Sequence, residues 1–352
     1  TYSGDAKLDV LASTPGRDIL NVTPSNRGIL LTITATNPDN YLRNIRVIPA
    51  DSIETYEEQI FNPEYLTKIQ PFTTMRFMDW METNNSVEMD WSDRPTVETV
   101  TWMSRGVPVE IMVELANQTR TNPWFTLPHM ATDNYVRNFA EYVRDNLDSD
   151  LNVYVEYSNE VWNFSFKQYG WVAKQARNEW TDPTINDYFK AMDWYSRRTT
   201  QITRIWDEVF ENHNPERVIG VMGARAADKQ WAMRTLDYRW AEEPLTHEEY
   251  GIDALAIAPY FGNYIGQKNE DQLLAWTTTE PDRGLGKLFD EITQGGQIVG
   301  GAAGGALQDA YRRMASHKEI ADAEGLPLIA YEAGQHLVGK DPAIVDLSLI
   351  HI

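Results

Sequence analysis

The feature of this sequence that most constrains its fold is an alternation of strand-like and helix-like segments, which begins at about residue 41. Short apolar runs alternate with longer segments of helical periodicity, an order typical of βαβ units around a parallel sheet. Seven strands are predicted, at 44–50, 73–80, 107–117, 152–160, 217–224, 252–261 and 326–334. The clearest helices are predicted between them, over about 62–70, 94–105, 132–147, 166–179 and 186–212.

Seven parallel strands in this order predict an α/β protein whose sheet closes as a (β/α)8 TIM-like barrel, and we assign residues 41–352 to this domain. No GxGxxG or P-loop motif follows the first predicted strand, which argues against a nucleotide-binding doubly wound sheet. Only residues 335–352 follow the seventh predicted strand. Two alternatives therefore stay open: the barrel is incomplete at its eighth strand, or the first strand is misassigned.

Residues 1–40 are predicted to form a separate, small β-stranded element. In the segment 28–40, Leu31, Ile33 and Ala35 alternate with threonines, which is the period-2 pattern of a half-buried strand. Two further short strands are predicted in 6–13 and 17–24, separated by a turn that contains proline and glycine.

The charge and composition of the chain exclude several classes of partner and chemistry. With 31 basic and 52 acidic residues the net charge is −21, which would repel nucleic acid phosphates and anionic lipid. We predict neither a nucleic acid nor a membrane as partner, and no cofactor. The absence of cysteine excludes thiol catalysis and cysteine-ligated zinc. Localisation and oligomeric state are left open.

The tryptophan content favours a carbohydrate substrate. The chain contains 12 tryptophans, whose flat apolar faces match the C–H faces of sugar rings. The competing interpretation is that many of them fill the core.

Two glutamates, Glu160 and Glu332, end two different predicted strands. Active sites of (β/α) barrels lie at the carboxyl ends of the strands. Glycoside cleavage needs one carboxylic acid to protonate the leaving oxygen and one carboxylate to attack the anomeric carbon. We predict these two as the catalytic pair. Other polar or aromatic residues near strand ends are predicted to bind substrate: Arg76, Asp79, Trp80, Asn117, Trp124, His129, Asn159, Trp162, Tyr260 and His336.

The motifs around both glutamates resemble those of a large clan of retaining (β/α)8-barrel glycoside hydrolases, clan A. The segment YSNEVWN at 157–163 is similar to the Asn-Glu motif that ends the fourth strand of that clan, and LIAYEAG at 328–334 to its seventh-strand nucleophile segment. The resemblance implies that Glu160 is the acid/base and Glu332 the nucleophile. It further implies that Arg76 orients the nucleophile, that Tyr260 hydrogen-bonds it, and that Asn159 holds a sugar 2-hydroxyl.

The strand context carries this resemblance, which covers roughly residues 41–337 in strand order. Asn-Glu also occurs at 178–179 and 269–270, but only Asn159-Glu160 follows a hydrophobic strand. Arg76 has an alternative interpretation as a structural ion pair with Glu156, which shares strand parity with Glu160.

Two rival functions remain at this point. A metal-dependent barrel hydrolase needs clustered histidine ligands, whereas the six histidines are isolated in the sequence, at 129, 213, 247, 317, 336 and 351. A non-catalytic carbohydrate-binding barrel is the second rival. The clan usually places a substrate-stacking tryptophan on the eighth strand, and no eighth strand is predicted in this sequence. We expect a retaining glycosidase that acts on a neutral polysaccharide or oligosaccharide.

Overall fold

The fold was analysed in a computed structural model that describes residues 1–237, 248–339 and 341–349. Contacts divide the chain into two compact units, Thr1–Asn62 and Pro63–Ile352. The sequence placed the boundary earlier, after residue 40. The segment 41–62 thus belongs with the N-terminal unit.

The N-terminal unit contains two small antiparallel pairs of strands, as expected for a β-stranded element. Strand β1 (Tyr2–Gly4) pairs with β4 (Ile29–Leu31), and β2 (Ala6–Leu8) pairs with β3 (Leu20–Val22). The expected half-burial is wrong, because the side chains of Leu31 and Ile33 are exposed.

The first predicted barrel strand, at 44–50, is wrong. No strand forms there, and a short 3-10 helix occupies Ala50–Ser52. Ile45 and Val47 carried the strand-like alternation, but both are exposed. A strand needs a neighbouring backbone for its hydrogen bonds, and Pro49 has no N–H to offer.

The unit Pro63–Ile352 is mixed α/β and is built on a six-stranded parallel sheet with the curvature of a half barrel. The order across the sheet is β11-β9-β8-β7-β6-β5. Two very short strands, β10 and β12, continue beyond β9 and β11 as a parallel pair. The bounds are β5 Thr74–Arg76, β6 Asn122–Leu127, β7 Val153–Tyr157, β8 Val218–Ala224, β9 Ala254–Ile257, β10 Tyr260–Phe261, β11 Leu328–Ala330 and β12 Gly334–Gln335. The described strands do not confirm the predicted closure to eight.

Helices follow most strands and cover the sheet. The longest, α5, packs against β7, β8 and the helices α3, α4 and α6. The bounds are α1 Pro63–Ile69, α2 Val109–Thr119, α3 Asp133–Asn146, α4 Lys167–Glu179, α5 Asp187–Phe210, α6 Lys229–Asp237, α7 Asn263–Lys268, α8 Glu270–Thr279, α9 Leu285–Thr293, α10 Gly305–Ala323 and α11 Pro342–Leu349. None of the described helices combines the length and apolar character that a membrane span requires.

The third predicted strand, at 107–117, is instead helix α2. Its buried residues Val109, Met112, Val113 and Ala116 recur at helical spacing, so this apolar run has a period near 3.6 rather than 2. Pro108 stands directly before the helix, where its missing N–H has no helical partner to lose. The predicted helix over 94–105 is also wrong, since a 3-10 turn at Trp91–Asp93 is followed by irregular chain.

The true strand in this place is β6, which lies between the predicted strand at 107–117 and the predicted helix over 132–147. Its Asn122-Pro123 start reads as a turn signal, yet proline is tolerated at the beginning of a strand. β6 takes the place of the wrongly predicted strand in the strand order. The strands that precede Glu160 and Glu332, β7 and β11, are three positions apart in the sheet.

The two faces of the sheet have different residues. Arg76, Trp124 and Tyr154 are register partners and share one face, on which Glu156 lies two residues further along β7. On the other face, Phe125 packs against Phe139 of α3 and Trp206 of α5. The helices therefore cover the apolar face, and the charged groups gather on the inner, concave face.

Candidate active site

Glu332 follows β11 and is held by one donor on each carboxylate oxygen. Arg76 Nη1 donates to Oε1 over 2.9 Å, and the Tyr260 hydroxyl donates to Oε2. Pairing of β10 with β12 sets Tyr260 beside Gly334, which explains why its hydroxyl reaches Glu332. The Glu332 side chain remains 29% exposed, so its carboxylate is held by two donors and is still open to solvent.

Arg76 is the centre of the charged cluster. Its Nε and Nη2 bind the two oxygens of Glu156 at 3.0 and 3.1 Å, and Nη2 also donates to Asn159 Oδ1 at 2.9 Å. Burial alone would lower the pKa of Arg76, but the charges of Glu156 and Glu332 raise it above its usual value. Both predicted contacts of Arg76 are therefore present, the one to Glu332 and the one to Glu156.

Glu156 is the buried counterpart of this cluster. Its side chain is only 2% exposed and also accepts a hydrogen bond from Trp124 Nε1 at 2.8 Å. Burial raises its pKa, and the hydrogen bonds from Arg76 and Trp124 oppose that effect. Because Glu156 is buried, its evident part is to fix the guanidinium of Arg76 rather than to meet a substrate.

Glu160 sits on an unusual backbone turn directly after β7. Ser158 and Glu160 both have positive φ, at 59° and 42°, a conformation that costs energy for residues other than glycine. Asn163 N–H closes the turn by donating to the Glu160 carbonyl at 2.7 Å. The turn directs a half-buried carboxylate away from the strand.

The carboxylate of Glu160 is also held by a donor on each oxygen. The Tyr331 hydroxyl donates to Oε1 at 3.1 Å, and Asn163 Nδ2 donates to Oε2 at 2.9 Å. Tyr331 immediately precedes Glu332, so the strand that carries one glutamate also contacts the other. The sequence interpretation missed both residues, although Tyr331 could have been noticed by its inward parity with Ile329.

Asn159 is 3% exposed, and protein groups engage both ends of its side-chain amide. Its oxygen accepts from Arg76 and its Nδ2 donates to Asn84 Oδ1 at 3.1 Å. Gln168 then donates to Asn84 Oδ1 and to the Asn159 carbonyl. Asn84 and Gln168 were not predicted and carry no sequence signal, because they reach Asn159 from a loop and from helix α4.

Three predicted aromatic residues lie around the charged cluster. Trp162 is 5% exposed and packs on Tyr331 and Trp231, and Trp124 is 4% exposed and lies against Arg76. Both are therefore walls of the site and have little face left for a sugar. The His336 ring meets the Tyr260 ring edge-on at 5.7 Å.

Four other residues predicted to bind substrate make their contacts outside this cluster. Asn117 is on helix α2, not at a strand end, and bonds the Asn146 carbonyl and the Asp148 N–H. Trp80 stacks on Tyr65, and Asp79 is an exposed turn residue. His129 is buried with its ring against Trp171, and burial together with Lys167 lowers its pKa to about 4, which keeps the imidazole neutral.

The described residues contain no group of three or more histidine, aspartate or glutamate side chains arranged to hold a metal ion. A scan against models of protein families, a search of curated proteins and a search of solved structures returned no significant match. The assignment of a function therefore rests on the geometry of this site.

Proposed function

We propose that this protein is a retaining glycoside hydrolase, with Glu160 as acid/base and Glu332 as nucleophile. The observation that carries the proposal is the matching placement of the two glutamates at strand ends of one sheet. They follow the third and the sixth strands of the sheet, and each carboxylate is oriented by two donors on the concave side. Both side chains are part-exposed, whereas the third carboxylate, Glu156, is buried.

The proposed reaction has two steps. In the first, a Glu332 oxygen attacks the anomeric carbon while the glycosidic oxygen leaves with the proton of Glu160, which produces a glycosyl ester. In the second, Glu160 takes a proton from water, the water oxygen attacks the anomeric carbon, and Glu332 leaves as a carboxylate. Two inversions at one carbon give net retention.

The electrostatics fit this division of roles. Arg76, which has no acceptor atom, and the Tyr260 hydroxyl both donate to Glu332, an arrangement that suits an ionised nucleophile. In the first step the negative charge of Glu332 is lost to the ester, and Arg76 keeps Glu156 as its partner. The Glu156–Arg76 pair thus holds the guanidinium in place throughout the cycle.

A retaining enzyme needs its two carboxyl groups about 5–5.5 Å apart. Two contacts support a short separation here, because each joins the surroundings of one glutamate to those of the other. The Tyr331 hydroxyl bonds Glu160, and the next residue in the chain is Glu332. Arg76 binds both Glu332 and Asn159, the residue before Glu160.

We further propose that the six strands of the sheet correspond to strands two to seven of a (β/α)8 barrel. On this numbering Arg76 ends strand two, Glu160 follows strand four and Glu332 follows strand seven. The three-strand spacing between the glutamates supports this numbering.

A neutral oligosaccharide or polysaccharide is the substrate class that we propose. The net charge of −21 disfavours anionic substrates. Phe164, one residue after Asn163, is 65% exposed and is supported edge-on by Tyr169. An exposed aromatic face four residues along the chain from the proton donor is suited to a sugar on the leaving-group side.

Proton NMR of the first-formed anomer tests the proposal, using the wild type, Glu160→Ala and Glu332→Ala on a panel of neutral oligosaccharides and aryl glycosides. We expect retained configuration in the wild type and loss of turnover in Glu332→Ala. Azide should rescue Glu160→Ala with a retained glycosyl azide and Glu332→Ala with an inverted one. An inverted product, or full activity in either variant, would overturn the mechanism, and binding without turnover would favour a carbohydrate-binding protein.

A further inference from the structure

Tyr331 occupies a place in the site that the two-glutamate mechanism does not use. Its hydroxyl donates to Glu160 Oε1 at 3.1 Å, its ring centroid lies 4.9 Å from the Arg76 guanidinium carbon, and the Trp162 ring packs against it at a tilt. Its backbone N–H bonds the Ile257 carbonyl at 3.1 Å, which extends the sheet beyond β11. The side chain is 6% exposed and therefore held firmly.

We propose that Tyr331 is the positioning residue of Glu160, which it keeps aimed in both protonation states, with Asn163 as its fixed partner on the other oxygen. This inference rests on the proposed function, since it concerns how the acid/base is used. It follows from the chemistry of the two groups that donate to Glu160, Tyr331 and Asn163, and not from the pairing of Glu160 with Glu332.

The two partners of Glu160 differ in what they can do. A phenol both donates and accepts, whereas an amide NH2 only donates. When Glu160 is ionised, as the base of the second step, Tyr331 donates to Oε1 as observed. When Glu160 is protonated before the first step, the Tyr331 hydroxyl can accept that proton without a change of position. During the first step the proton turns to the glycosidic oxygen, and Tyr331 donates to Oε1 again. Asn163 remains a donor to Oε2 in both states.

A positioning partner of this kind is needed because the backbone of Glu160 does not hold the side chain unaided. Glu160 has φ of 42°, and its side chain projects from a tight turn rather than from the strand. Four charged groups surround the Tyr331 ring and hydroxyl: Arg76, Glu156, Glu160 and Glu332. Burial and these carboxylates raise the pKa of Tyr331, so that it keeps its proton throughout.

The test compares Tyr331→Phe with Tyr260→Phe on glycosides of graded leaving-group ability, from dinitrophenyl to alkyl, of the sugar that the wild type hydrolyses. General acid help matters for poor leaving groups and little for dinitrophenolate. For Tyr331→Phe we expect kcat/KM to fall about tenfold or more on poor leaving groups. On the dinitrophenyl glycoside we expect kcat/KM within about twofold of wild type, with kcat and KM falling together because the second step is slowed.

Tyr260→Phe is the matched control, because it removes the same hydroxyl group from the nucleophile instead. Its kcat/KM should fall on good and poor leaving groups alike. If Tyr331→Phe behaves in the same way, or is unchanged on poor leaving groups, the inference is overturned.

Asn163→Ala is a second variant, for the case in which Tyr331→Phe does not fold, because it leaves the ring packing of Tyr331 untouched. It should lower kcat/KM on poor leaving groups and much less on good ones. A uniform loss in Asn163→Ala counts against the inference. A wild type that hydrolyses no glycoside overturns the proposed function and the inference together, whereas an active wild type with uniform losses overturns the inference alone.

Discussion

Arg76 and Glu332 belong to opposite edges of the six-stranded sheet, yet their side chains meet at 2.9 Å. Arg76 ends the first edge strand and Glu332 follows the other. Strands lie about 4.8 Å apart, so five intervals across a flat sheet would separate these edges by about 24 Å. The contact therefore requires the sheet to curl, and the same curvature brings Tyr260, Tyr331 and Glu160 into one cluster.

The buried partner of Arg76 predicts a separation of stability from activity. Arg76→Met leaves the Glu156 carboxylate buried without its cation, which should cost about 3–5 kcal/mol in the free energy of unfolding. The double variant Arg76→Met/Glu156→Gln should recover most of that stability in urea denaturation. The proposed glycosidase activity should stay low in both, because Glu332 loses the Arg76 donor in both. Recovery of activity in the double variant would show that Arg76 serves Glu156 only.

Glu88 predicts a pH-dependent stability unrelated to catalysis. It is 3% exposed, and burial raises its pKa to about 7 although the Tyr135 hydroxyl donates to it. The folded state holds this proton more tightly than the unfolded chain does, in which the pKa of the carboxyl is near 4.5. The protonated Glu88 carboxyl therefore contributes to stability below about pH 4.5, and this contribution is lost as the pH rises to about 7. The loss amounts to about 3 kcal/mol at most.

Glu88→Gln should remove this loss, because the amide oxygen can still accept from Tyr135. Denaturation between pH 5 and 8 should then show a smaller decline of stability in Glu88→Gln than in the wild type. Glu319→Gln, which changes an exposed glutamate on α10, serves as the control and should follow the wild type. An unchanged decline in Glu88→Gln would contradict the prediction.

The exposed ring of Phe164 predicts a dependence on substrate length. If it stacks on a leaving-group sugar, Phe164→Ala should lower kcat/KM on oligosaccharides by about fivefold, since such an aromatic contact contributes about 1 kcal/mol. An aryl glycoside with a single sugar lacks that contact and should be hydrolysed nearly as before. Phe289→Ala, at an exposed phenylalanine on α9, should affect neither substrate. Equal losses on both substrates in Phe164→Ala would argue against stacking.

Alanine substitutions at two glycines should have opposite effects on stability. A Cβ at Gly220 would lie 2.0 Å from the Gly251 carbonyl oxygen, a backbone atom that cannot move aside cheaply, so Gly220→Ala should cost about 2–4 kcal/mol. At Gly170, inside α4, a Cβ would meet nothing within 4 Å, and Gly170→Ala should stabilise by about 0.5–1 kcal/mol. Thermal melts of both variants measure this difference, and a stable Gly220→Ala would contradict the packing between β8 and the turn before β9.

Local sequence pattern was sufficient for part of the fold. Strands β7, β8, β9 and β11 and helices α1, α3, α4 and α5 lie where their periodicities placed them. The prediction failed at 107–117, where the apolar residues that become buried recur at helical spacing although the run was interpreted as a strand. It failed again at β6, whose proline imitates a turn although neighbours on both sides supply the strand with hydrogen bonds.

By itself the sequence determined which residues could supply chemistry: Glu160 and Glu332 each end a predicted strand, and strand order predicts that both lie at the carboxyl end of one sheet. Only the tertiary structure decided what surrounds them. The curl of the sheet set Arg76 between Glu156 and Glu332, and the extension of β11 placed Tyr331 against Glu160. These contacts join residues up to 256 positions apart, and no local pattern of side chains encodes a distance across a curved sheet.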